Sequence, residues 1–343
     1  MPETRSECYM PEDLIQEGER YLLDDFISGK SRALNDELTD ILNEIRCVFN
    51  NCPLWLCLNG TLYPPFYDSL FGKREQILPD CPALLLIDSP GGEARTAYQA
   101  ARLFNRRGGF KALVPRYAKS AATLLALGAQ EIYMGLDAEL GPLDAQLRDS
   151  EREDVMSALD EVHSLERLNA AALEVFDQTM HLLLPRTGKR VDSLLPLSLE
   201  YTASILKPLI ENIDAVHYTR MSRVLRVAEQ YAIRLLSANH KYTDEDASRI
   251  AGRLVEKYSE HGFVIDTDEA RDIGLMVLDL PQKLSSIFDS LIPHLSTGEP
   301  LIGHFKEIEN ERPEISSPQG ENLTDESEHA ECSRDGHRSV EGG

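Results

Sequence analysis

The sequence predicts an α/β protein built around a buried parallel sheet. Two short continuous apolar runs, Leu54-Trp55-Leu56-Cys57-Leu58 and Ala83-Leu84-Leu85-Leu86-Ile87, read as strands covered on both faces. Helical patterns over about 93–107 and 120–129 alternate with further strands at 111–115 and 131–134 over short connections. Right-handed crossovers turn that alternation into a parallel sheet. Two turn sequences, Asp88-Ser89-Pro90-Gly91-Gly92 and Ala118-Lys119-Ser120-Ala121-Ala122, each end a strand and open a helix, so both fall at one edge of the sheet.

Taken in order, residues from about 12 to 49 read helical, with Leu14, Tyr21, Leu22 and Phe26, then Leu34, Leu38, Ile41, Leu42, Ile45 and Val48 at spacings of three and four. Asn59-Gly60 closes the first buried run, and a partly helical stretch over about 64–78 leads into the second. Past Leu147 the pattern turns wholly helical, over about 151–184, 196–212 and 216–239. Thr243-Asp244-Glu245-Asp246 caps a further helix, and His261 to Asp266 reads as a turn and short strand. Asp266 or Thr267 then caps a helix that ends near Gly274. From Lys306 onward, four basic residues stand against eleven acidic ones with hardly any large apolar groups, a composition that predicts disorder. The organisation expected is an N-terminal helical segment over 1–49, the α/β domain over 50–280, a helical segment over 281–305 and an acidic tail over 306–343.

Composition bounds the function. With 343 residues and 42% hydrophobic content, the chain can bury a sizeable core. A net charge of −23 repels a phosphate backbone, so nucleic acid is excluded as a partner. The first residues are polar and acidic, unlike a secretory signal, and no apolar run reaches the roughly 20 residues of a membrane span. The expectation is a cytoplasmic protein whose six cysteines stay thiols. Cys47, Cys52 and Cys57 recur every five residues across a helix, a turn and a strand, which suits small core or boundary positions better than a metal site.

Gly91-Gly92, directly after a buried strand, permits φ values closed to other residues and lets another backbone or a substrate approach with no Cβ in the way. The turn lacks the G-x-G-x-x-G and Walker patterns, and Glu93 would repel a phosphate there, so a plain tight turn is the competing reading. Ser120 opens a run to Ala129 so apolar that its helix must be buried on nearly all sides. By itself the serine reads equally well as an N-cap. Together the two turns offer a nucleophile and backbone N–H donors, the skeleton of an acyl-transfer site.

Three segments in order, 84–92 (LLLIDSPGG), 118–129 (AKSAATLLALGA) and 139–146 (ELGPLDAQ), resemble the Clp-fold serine peptidases. The chain is similar above all to the serine dehydrogenase proteinase family, which is related to signal peptide peptidase A and to ClpP, over about residues 50–280. The resemblance implies a ClpP/crotonase-like fold of stacked β-β-α units and a homo-oligomer. It also implies that Ser120 is the nucleophile and that Gly92 and Ala121 supply the oxyanion hole, with Gly91 supporting the loop.

The base departs from the pattern, because Leu140-Gly141-Pro142 stands where ClpP has a histidine. Signal peptide peptidase relatives use a lysine, which works when burial lowers its pKa. Lys207, in an apolar setting, is the first candidate; a surface lysine before Pro208 is the competing reading. His261 serves instead if its turn folds back to the sheet edge, and Lys119 adjoins the nucleophile but points away from it on a strand-to-helix turn. The function expected is a serine endopeptidase acting on peptides or proteins, with no metal and no cofactor. The alternatives are a catalytically weak Clp-fold assembly or partner-binding module, and a crotonase-like enzyme acting on an acyl thioester.

Overall fold

Consecutive β-β-α units organise the molecule. The computed structural model describes residues 21–307 apart from 80, 145, 149–154, 212, 239–240, 259 and 297. These residues belong to one compact unit, Met1–Ile308; the second unit, Glu309–Gly343, lies outside them. In chain order β1 (Tyr21–Asp25) and β2 (Ser31–Ala33) precede α1 (Asp36–Val48). Three β-β-α units follow: β3 (Leu54–Leu58), β4 (Thr61–Leu62) and α2 (Pro64–Gly72); β5 (Ala83–Asp88), β6 (Gly91–Gly92) and α3 (Ala94–Asn105); β7 (Phe110–Val114), β8 (Tyr117–Ala118) and α4 (Ala121–Leu127). A fourth strand pair, β9 (Glu131–Met134) and β10 (Glu139–Leu140), continues the series. Next come β11 (Gln146–Arg148), β12 (Val155–Ser157), the helices α5 (Ala158–Thr187), α6 (Val191–Ile210), α7 (Ala215–Ala238), α8 (Asp244–Glu256) and α9 (Thr267–Ile273), then β13 (Val277–Leu278), α10 (Gln282–Leu295) and β14 (Leu301–Glu307).

The long strand of each unit enters an eight-stranded sheet of order β13-β9-β7-β5-β3-β14-β1-β2. It is parallel from β13 to β3 and antiparallel through β14, β1 and β2. Because side chains alternate across a strand, β3 and β5 feed two cores. Trp55, Cys57, Leu85 and Ile87 face the side of α3, α4 and α7, while Leu54, Leu56, Leu84 and Leu86 face α1 and α10. The second, short strand of each unit pairs with the next: β4 with β6, and β8 with β10, all parallel. A bridge between Ser89 and Ala118 joins the two pairs, so the ends of successive units line up along one edge.

Several expectations need correction. The helical reading of 12–49 holds for α1, but Tyr21–Asp25 and Ser31–Ala33 are strands, and residues below 21 lie outside the described part. Tyr21, Leu22 and Leu23 are apolar on successive positions, a pattern that fits a sheet as well as a helix once β14 is there to pair with. Leu301–Glu307, expected as the end of a helical segment and the start of an acidic tail, is β14, inserted between β3 and β1. The rest of the tail lies outside the described residues. The short strand expected over 261–266 is a single bridge, Ile265 to Leu140. Asp266 and Thr243 do cap their helices, accepting from the N–H groups of Glu269 and Asp246.

Candidate active site

The two motif turns are zipped together by backbone. The Ser89 N–H donates to the Tyr117 carbonyl at 3.0 Å, and the Lys119 N–H returns a bond to the Ser89 carbonyl at 3.0 Å. Asp88, fully buried at the end of β5, grips the Arg116 guanidinium with both carboxylate oxygens, at 2.9 and 2.6 Å. That hydrogen bond raises the Arg116 pKa above its ordinary value. Arg116 also reaches the Asn59 side-chain oxygen at 3.0 Å, tying the ends of three units at one point. Asp88 thus holds the loops rather than the chemistry.

Ser120 occupies a backbone conformation that L-residues avoid, φ 50° and ψ −117°. It precedes α4, yet its side chain makes no capping bond to the helix, which removes the N-cap reading. Its Oγ instead lies 3.4 Å from the Asp144 carbonyl oxygen. The following residue, Ala121, is the first of α4, so its N–H has no acceptor within the helix and the dipole favours negative charge there. Thr123, one turn on, secures the arrangement: its Oγ1 donates to the Ala118 carbonyl at 2.6 Å and accepts from the Gly141 N–H at 3.0 Å.

Gly91, with φ 106°, is the glycine that approaches the serine. A Cβ added to it would meet the Lys119 carbonyl oxygen at 2.6 Å, Ser120 Cβ at 3.0 Å and the Ala121 nitrogen at 3.1 Å. Gly92, with φ 146°, packs on β4, where a Cβ would meet the Leu62 carbonyl oxygen at 2.5 Å. The Gly91 N–H donates to Ser89 Oγ at 3.1 Å. The glycine pair therefore serves two close approaches, one to each neighbouring unit.

The candidate bases separate clearly. The Lys207 side chain on α6 is 73% exposed and 3.8 Å from Glu211, so the burial that a neutral lysine base needs is absent. Lys119 is engaged: its ammonium pairs with Glu139 at 2.9 Å and donates to the carbonyls of Leu140 at 3.4 Å and Phe263 at 3.3 Å. It clamps the 261–265 segment onto β10, beside the Leu140–Ile265 bridge. The condition set for His261 is met by this clamp, because its turn does fold back to the sheet edge. His261 Nδ1 lies 3.8 Å from Asp144 Oδ2, and that nitrogen is buried with no hydrogen-bond partner. Asp144 is 2% exposed, and its other oxygen accepts the Leu159 N–H at 3.1 Å.

Asp144 therefore touches both Ser120, through its carbonyl, and His261, through its carboxylate. Sequence reasoning placed Asp144 near the site but gave it no partner, and it missed Arg116 and Thr123 altogether. The only available signal for Asp144 was its place at the end of the Gly-Pro-Leu-Asp segment. A cavity of about 390 Å³ opens between α5, α7 and α8, and Leu159, one hydrogen bond from Asp144, forms part of its wall.

Comparison with known proteins agrees with this geometry. Residues 74–182 match the family of ClpP-like SDH-type serine proteinases, about a third of the chain, including both motif turns, Ser120 and Asp144. Over that stretch the fold is ClpP-like, as the three motifs implied. The chain is 26% identical over 212 residues to the uncharacterized protein MJ0137 of Methanocaldococcus jannaschii, covering 61% of this chain and 58% of that one. It is 24% identical over 225 residues to the uncharacterized protein MJ1495 of the same organism, covering 65% and 61%. The chain thus spans about three fifths of the length of these curated relatives. Among solved structures, a serine-to-alanine mutant of the 1510-N membrane-bound stomatin-specific protease is similar at 17% identity and a TM-score of 0.27, over 44% of this chain and 69% of that one. A lysine-to-alanine mutant of the same protease in complex with a substrate peptide gives 17% identity and a TM-score of 0.26, over 38% and 60%. No helix among the described residues is long and apolar enough to cross a membrane.

Proposed function

We propose that this chain is a serine endopeptidase in which Ser120 attacks the carbonyl of a peptide bond. The observation that carries the reading is the strained serine at the head of a buried helix, set against Gly91 on one side and Asp144 on the other. The tetrahedral oxyanion is received by the Ala121 N–H and the backbone of the Gly91-Gly92 turn, both preorganised by the folding of successive units. His261 takes the serine proton and passes it to the leaving amine. Water then enters, gives a proton to the same imidazole and releases the acyl group as a carboxylic acid.

Asp144 is the positioning residue. Its carboxylate stands 3.8 Å from His261 Nδ1, an ion-pair distance that must close by about 1 Å to become a hydrogen bond. Closure would satisfy the buried, unpartnered nitrogen and fix the tautomer whose other nitrogen accepts the proton. The order Ser120, Asp144, His261 along the chain replaces the ClpP order and accounts for Leu140-Gly141-Pro142 where ClpP has its histidine. The cavity beyond Asp144 gives room for a substrate side chain. Self-association into a homo-oligomer and a cytoplasmic location belong to the same reading. The Cys52 and Cys81 thiols, 3.1 Å apart, suit a reducing compartment.

Fluorophosphonate labelling and casein cleavage test the chemistry. Ser120→Ala should abolish both while leaving the fold intact. His261→Ala and Asp144→Asn should slow labelling by about 10²–10⁴, with Asp144→Asn acting on kcat more than on KM and Asp144→Glu restoring part of the rate. Wild-type cleavage by Ser120→Ala would refute the mechanism, and full-rate labelling of His261→Ala would refute the base alone. A wild-type chain that never labels would favour the binding-module alternative.

A further inference from the structure

Helix α6 carries more apolar surface than its neighbours cover. Its inward row, Leu194, Ser198, Thr202 and Leu206, is buried against α5, where Ser198 Oγ lies 3.1 Å from Met180 Sδ. On either side of that row, at i and i+4 spacing, runs an exposed apolar stripe. Val191, Leu195 and Leu199 form one, and Leu197, Tyr201 and Ile205 the other, each between 39% and 54% exposed. Four more large aliphatic side chains of the same hairpin are exposed by 50% or more. Together the ten present roughly 800 Å² of largely apolar surface, above the 300–600 Å² patch of an ordinary monomer and equal to one partner's share of a standard interface.

Three occupants are available, and the chemistry separates them. The chain's own residues beyond Ile308 offer Ile315, Leu323 and Val340 as large aliphatic groups, too few to cover both stripes. An anionic lipid surface calls for a basic polar face, whereas the polar side of α6 carries Glu200 and Lys207 between serines. A second copy brings two matching stripes, and a two-fold axis makes such a surface complementary to itself. We propose that the α5–α6 hairpin is the surface through which two copies of this chain associate, hairpin against hairpin. The proposal gives a location to the self-association in the preceding reading and is independent of the chemistry at Ser120.

Sedimentation of the full chain tests it. Wild type should run at twice 38.5 kDa or a higher even multiple. Leu197→Glu/Ile205→Glu should run at 38.5 kDa with unchanged helical circular dichroism, and Leu195→Glu/Leu199→Glu, on the other stripe, gives a second reading should the first lose its fold. Glu200→Lys, on the polar side, should leave the assembly intact. A wild-type chain at 38.5 kDa at every concentration overturns both the surface and the self-association. Its co-sedimentation with phosphatidylcholine/phosphatidylglycerol vesicles would then assign the stripes to lipid. Assembly that survives in folded stripe variants overturns the surface alone. Fluorophosphonate labelling of the same samples reports Ser120 separately, so failure of the interface and failure of the chemistry are distinguishable.

Discussion

At the scale of single residues, Ser120 is held in a conformation that suits glycine. A non-glycine residue at φ 50° and ψ −117° costs about 1–3 kcal/mol, and the serine makes no capping bond that would offset it. The strain keeps the hydroxyl out of the helix and aimed at the seam between units. Ser120→Gly should therefore melt at a higher temperature than Ser120→Ala, by about 1 kcal/mol of stability, while both are inactive. Equal or reversed melting temperatures in calorimetry would show that the backbone is not strained there. The serine and the two glycines were legible in the sequence because strand-turn-helix punctuation singled them out. The base was not. Lys207 looked buried because its sequence neighbours are apolar, but apolar neighbours on α6 point to several faces, and the lysine lies on the polar one.

At the scale of elements, β14 shows how a strand at the C-terminal end of the described chain can act from inside a sheet. His304 stacks on Trp55 at 4.4 Å between ring centroids and meets the Gln76 side-chain oxygen at 3.0 Å. Burial, reinforced by the nearby positive charges of Lys306, Arg46 and Lys73 and opposed by Asp24, lowers its pKa to about 4. The native state thus keeps the imidazole neutral, while the unfolded chain protonates near pH 6.5. The resulting stability is fully present above about pH 6.5 and is lost progressively as pH falls toward about 4, some 3 kcal/mol in all. His304→Phe should flatten that part of the profile in denaturant titrations at stepped pH. A variant as pH-sensitive as wild type from 6.5 to 4 would place the titration elsewhere. Asp24 acts in a separate, lower window: burial raises its pKa, but the Lys73 hydrogen bond and the charges of Lys306 and Lys73 outweigh this and lower it overall.

At the scale of the whole molecule, the position of β14 between β3 and β1 sets where the fold ends. A chain stopped after 308 should fold, whereas one stopped after 300 should not, because β3 would lose a paired strand and β1-β2 their only link to the parallel sheet. Equal cooperative unfolding of the two truncations would contradict this. The boundary near 305 suggested by composition cuts through the strand. The acidic count beginning at Lys306 marks a change of composition, but Leu301, Ile302 and Phe305 already bind the segment to the core.

The sequence by itself determined the α/β class, the order of the β-β-α units, both motif turns and Ser120, because those features are local: apolar runs, glycine pairs and helix starts act within a few residues of themselves. Only the tertiary structure decided that His261 meets Asp144, that Lys119 clamps the returning segment, and that β1 and β14 complete the sheet. Each of these joins residues dozens to hundreds of positions apart through backbone pairing and burial, and neither leaves a periodic trace in the chain.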